Sequence, residues 1–100
     1  MMVESKVLTC VAHFVAIAGQ EAALKSALLG MLEPTRAEAG CLSYHLHQSL
    51  ENPALFTMIE HFQDQAAFDL HSQQAYLLAL KEQLPALTTS VSVHTYKTCG

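Results

Sequence analysis

The stretch LFTMIEHFQDQAAFDLHSQQAYLL, residues 55–78, decides how the rest of this chain folds. In its first eight residues Phe56, Met58, Glu60 and Phe62 alternate with Leu55, Thr57, Ile59 and His61, which is the two-residue period of a β-strand. Glu60 therefore falls in an apolar row. Asp64 offers an N-cap side chain to a helix that begins at Gln65 and meets no proline before Pro85. At helical spacing Ala67, Phe68, Ala75 and Leu78 surround His71, so the imidazole is central to an apolar stripe. A strand and the helix after it thus aim a carboxyl and an imidazole toward the core.

Working outward, residues 7–18 read VLTCVAHFVAIA, an apolar run with a superficial likeness to the hydrophobic region of a signal peptide. Glu4 cancels Lys6 ahead of it, His13 interrupts it, and its β-branched residues suit a first strand. Val7, Thr9, Val11, His13 and Val15 occupy one face of that strand and Leu8, Cys10, Ala12, Phe14 and Ala16 the other. Gly19 ends it. A helix over residues 20–39 follows, with Leu24, Ala27, Leu28 and Met31 inward and a break near Glu33 caused by Pro34. Gly40 suits a helix C′ position, residues 41–49 alternate as a second strand, and Glu51-Asn52-Pro53 is turn chemistry that makes a hairpin with strand three. After Pro85 a last strand is expected over residues 91–97.

The order β-α-β-β-α-β predicts one α+β domain over residues 1–100, ferredoxin-like, with a four-stranded antiparallel sheet and two helices on one face. Two helices leave a sheet face bare although strands one and three are apolar on both sides. The chain is 51% hydrophobic and only 14% charged, so a second copy is the simplest cover, and Leu70, Leu77 and Leu84 at seven-residue spacing offer helix two a further contact with it. A net charge of −4, with five Lys and Arg in all and none clustered, argues against nucleic acid or an anionic membrane as partner. Three cysteines without metal-type spacing suggest reduced thiols and a cytoplasmic protein.

Residues Arg36 to Tyr44 (RAEAGCLSY), Pro53 to Phe56, Glu60-His61-Phe62, and Ala67 with His71 resemble the antibiotic biosynthesis monooxygenase family, and within it the small quinol monooxygenases. The resemblance implies a dimeric α/β barrel that oxidises quinols or polycyclic phenols with dioxygen, using neither metal nor flavin. It places the family's strand Glu on Glu60 and its helix His on His71. Phe62 stands where the family usually has Trp, and so lacks an indole N–H to offer a substrate. The fold also hosts isomerases of small sugar-derived signals and proteins that bind a small ligand without turnover, and both remain alternatives.

The chemistry follows from the residues themselves. A quinol or phenol must lose a proton before it can pass an electron to dioxygen, so the minimum equipment is a base in a dry pocket. Imidazole, neutral near pH 7, makes His71 the candidate base, and Glu60 the carboxylate that orients it. Phe62, Tyr44, Phe68 and Met58 are the candidate substrate contacts. No cofactor is expected, because neither a phosphate-cradling glycine loop nor a complete ligand set is present. The other histidines read as surface or interface residues, and Arg36 as a solvated helix charge.

Overall fold

A computed structural model describes residues 6–100. Its elements are β1 (Leu8–Ala16), α1 (Glu21–Leu29), α2 (Leu32–Arg36), β2 (Cys41–Gln48), β3 (Leu55–Phe62), α3 (Gln65–Ser72), α4 (Ala75–Leu87) and β4 (Thr88–Lys97). The strands form one antiparallel sheet in the order β2-β3-β1-β4, the ferredoxin-like arrangement. No helix of the described residues is long and apolar enough to cross a membrane.

The alternation read from the sequence is the alternation of the sheet. Leu8, Cys10, Ala12, Phe14 and Ala16 of β1 and Phe56, Met58, Glu60 and Phe62 of β3 are buried beneath the helices, while the residues between them are half-buried. Leu24, Leu28 and Met31 complete the core from the helical side. Gly19, at φ 90°, provides the left-handed turn that sends the chain from β1 to α1.

Each expected helix is in fact two. The first breaks at Gly30 rather than near Glu33, and Pro34 sits in the first turn of α2, where a missing N–H costs no helical bond. The second breaks at Gln73 and Gln74, and Gln74 is extended. Neither glutamine has an apolar side chain to bury, and the interruption rotates the helical phase so that Leu80 and Leu84 face the core while Leu78 is left exposed. The seven-residue leucine row is consequently not a partner-facing stripe: Leu70 is 65% exposed and Leu84 only 8%. Pro85 lies within the last turn of α4, not beyond it, and β4 begins at Thr88 directly after the helix.

Gly40 is needed for a reason other than a left-handed cap. Its φ is not positive, but a Cβ there would overlap the Cβ of Ala67 on α3. Its carbonyl accepts from the Gln63 N–H at 2.8 Å, which ties the loop before β2 to the loop before α3. Gly40→Ala should therefore destabilise the protein by about 1–3 kcal/mol through overpacking, read as a lower urea midpoint. An unchanged midpoint would show that the two loops can part freely.

Candidate active site

His71 sits in the last turn of α3 and is 3% exposed. The Asp64 side chain, accepting from the Ala67 N–H at 2.8 Å, fixes where that helix starts and hence where the imidazole points. Phe62 packs against the ring at a centroid distance of 4.9 Å, and Phe68 and Tyr44 stand around it at 6.4 and 5.7 Å.

The hydrogen bond that orients His71 comes from Glu38, in the loop between α2 and β2. His71 Nδ1 and Glu38 Oε2 are 2.9 Å apart, and the Tyr76 hydroxyl of α4 donates to the same carboxylate oxygen. A carboxylate only accepts, so the hydrogen-bond network assigns the proton to Nδ1 and leaves the lone pair on Nε2. Glu60, expected as the orienting partner, lies on the other side of the ring with Oε1 3.8 Å from Nε2, beyond hydrogen-bond length. Strand geometry explains this: Glu60 pairs with Cys10 and Tyr44 across the sheet floor, whereas Nδ1 turns toward the sheet edge. Glu38 belongs to the stretch that carried the resemblance, but no periodicity connects it with a residue 33 positions away.

Glu60 Oε1 is buried without a hydrogen-bond partner. Burial, chiefly, pushes its pKa up from 4.5 to about 8; the Cys10 thiol, hydrogen-bonding the carboxyl, opposes this and the Glu38 charge adds to it. At neutral pH Glu60 is thus a neutral acid. Burial likewise pushes the Cys10 thiol up to about 12, which leaves it inert as a nucleophile, and raises the Tyr44 and Tyr76 phenols.

Between the sheet and helices α3 and α4 lies a cavity of about 150 Å³. His71, Glu60 and Tyr44 reach its inner end, Phe68 and Leu80 wall it, and exposed Val91 and Val93 of β4 border its mouth. Phe62 and Met58, expected as substrate contacts, do not line it. Phe62, fully buried, backs the His71 and Phe68 rings, and Met58 packs in the main core. Arg36 is not simply a solvated charge, for its guanidinium grips the Tyr44 carbonyl at 3.0 and 2.7 Å and so pins β2 beside the cavity.

These features define a small α+β protein with a buried imidazole between two carboxyl groups, and comparison with known proteins gives the family. The antibiotic biosynthesis monooxygenase model matches residues 7–83, and the chain belongs to that family. The protein is 36% identical to SO0527 of Shewanella oneidensis, with a TM-score of 0.93 over 97% of this chain and 95% of that one. PA3566 of Pseudomonas aeruginosa is 34% identical, with a TM-score of 0.91 over 99% of this chain and all of that one. Rv0793 of Mycobacterium tuberculosis shares 33% identity over 79 residues, 79% of this chain and 77% of the relative.

The Glu60 environment makes a measurable demand on stability. Between roughly pH 4.5 and 8 the folded protein holds a proton that the unfolded chain releases, so stability falls as pH rises through that window. The slope approaches about 1.4 kcal/mol per pH unit for one proton. Thermal unfolding from pH 4.5 to 8 should show this decline in the wild type and a much flatter profile in Glu60→Gln. Equal slopes in the two proteins would mean that Glu60 is ionised when folded.

Proposed function

We propose that this protein is a cofactor-independent monooxygenase that oxidises a quinol or phenol with dioxygen, with His71 as general base. The observation that carries the reading is the orientation of the imidazole: Glu38 holds Nδ1, so the Nε2 lone pair is offered to the region beside the unpaired acid of Glu60. Nε2 takes the hydroxyl proton, and the phenolate passes one electron to dioxygen. The aryl radical and superoxide join as a ring peroxide anion. Its O–O bond then breaks, the ring C–H proton and the outer oxygen leave as water, and a carbonyl remains. A quinol and dioxygen thus become a hydroxyquinone and water, with the proton on His71 returned in the last step. Glu60 stands beside the reacting oxygen as a neutral hydrogen-bond donor, and Glu38 stabilises the imidazolium.

Oxygen consumption with a quinol panel tests this. His71→Ala should lower kcat by a factor of about 10² to 10⁴. Glu38→Gln should also depress kcat with little change in KM, because an amide can donate to Nδ1 and so favours the tautomer whose Nε2 is already protonated. A folded His71→Ala protein that turns over a confirmed quinol at the wild-type rate would remove the histidine from the chemistry. Turnover that is lost on chelation and restored by one metal would remove the cofactor-free reading.

The working unit in this proposal is a homodimer formed through the open sheet face. That face carries half-buried Val11, Val15, Leu55 and Ile59, which no helix covers. His13, His45, His47, His61 and His94 also lie there by register. Thr57 pairs with His13, Ser43 with His61, and the Arg36 guanidinium adjoins His45, while no described Asp, Glu or Lys shares the face. A two-fold contact sets this surface against itself. Light scattering should give a dimer, and a monomer at tens of micromolar would defeat the proposal.

A further inference from the structure

We infer that the substrate is an aromatic acid, whose ring enters the cavity toward His71 while a carboxylate on a short side chain stays at the mouth, on the Lys81 ammonium; the inference rests on the proposed phenol-oxidising role. The cavity opens sideways because the helices cover β1 but not β4. Register sets Val91 beside Phe14 and Val93 beside Ala12 on the helical side of the sheet, yet Phe14 and Ala12 are buried whereas Val91 and Val93 are 42% and 56% exposed. A ligand seated between sheet and helices thus has an apolar lip to continue over, with half-buried Leu77 of α4 also lining the cavity.

Lys81 stands where that lip meets solvent. On α4 it lies between buried Leu80 and Leu84, at the edge of the inward stripe, so its side chain lines the cavity and is also exposed. Among the described residues it makes no hydrogen bond or ion pair, both ion pairs there being made by His71. Glu82, its neighbour in sequence, does not share its face of the helix. Among the described residues that line the cavity Lys81 is the one lysine or arginine, and the one acid, Glu60, is buried at the inner end. From inside outward the ligand therefore meets an imidazole, apolar walls and a lone cation. A hydroxylated ring, one or two methylenes and a carboxylate match that order. A sugar phosphate would meet the same cation but set its hydroxyls against Phe14, Leu80 and Val93, where nothing satisfies them.

Anaerobic isothermal titration calorimetry with 3-(4-hydroxyphenyl)propanoate and its amide tests this apart from turnover. At low salt the acid should bind about three to five times more tightly than the amide, the strength of a partly exposed ion pair. That advantage should shrink between roughly 20 and 200 mM NaCl. A net charge of −4 acting at large would give the opposite order. Lys81→Met, which keeps the apolar stem, should abolish the preference, and Lys81→Arg should retain it. Equal affinity of acid and amide for the wild type, a preference that survives in Lys81→Met, or no measurable binding of the acid at millimolar concentration overturns the inference. Tighter binding of ribose 5-phosphate than of the acid does the same. If the acid binds as stated but no quinol, 3-(2,5-dihydroxyphenyl)propanoate included, consumes oxygen, the oxygenase reading fails and the carboxylate subsite stands. If hydroquinone is oxidised with a kcat/KM equal to that of this quinol acid, the subsite fails and the oxygenase reading stands.

Discussion

One carboxylate oxygen, Oε2 of Glu38, receives hydrogen bonds from two helices, through His71 of α3 and Tyr76 of α4. It extends from a loop that Gly40 presses against Ala67, so its position is set by backbone packing as well as by its partners. The imidazole tautomer depends on this oxygen, as does the contact of α4 with the α2–β2 loop. Removing it would leave the buried His71 ring short of an acceptor, a loss of about 1–3 kcal/mol, and the half-buried Tyr76 hydroxyl with the Pro34 carbonyl at 3.4 Å.

On the other side of the ring the arrangement runs against stability. Glu60 sits in an apolar row where a hydrophobic residue of similar size would pack without an unpaired oxygen. Its burial disfavours the charged form, and that same effect makes it a hydrogen-bond donor at neutral pH. The two carboxyl groups flanking His71 thereby take opposite parts. Glu38, hydrogen-bonded and partly exposed, serves as acceptor, and Glu60, dry, serves as acid.

Much of this was legible in the residues. The strict alternation of residues 55–62, with a buried Glu in an otherwise apolar row, gave β3 its bounds and its inward face. Asp64 marked the start of α3, and the element order led to the sheet topology. Helix interruptions were harder to see, because Gln73-Gln74 contains neither Gly nor Pro and the break arises from which leucines the sheet can bury. Propensity is local, and that choice is tertiary. Glu38 escaped for a related reason, since a loop residue has no period. Phe62 and Met58 share a strand face with Glu60, but a shared face does not say which residues border a cavity and which are filled over by helices.

Helix α4 passes into β4 with no intervening loop: its last residue is Leu87, the strand begins at Thr88, and the Thr88 hydroxyl bonds back to the Leu84 carbonyl at 2.7 Å. The Leu87 carbonyl is held in turn by the Ile17 N–H at the end of β1. Leu80 and Leu84 on one wall of the cavity, and Val91 and Val93 at its mouth, therefore belong to a single mechanical piece anchored to the central strand. This corner has no loop, so the wall and the mouth of the cavity hold a fixed relation to each other. At its other end α4 joins α3 through the extended Gln74, beside His71 and Tyr76, so the wall of the cavity and the imidazole at its inner end are linked through one short backbone turn.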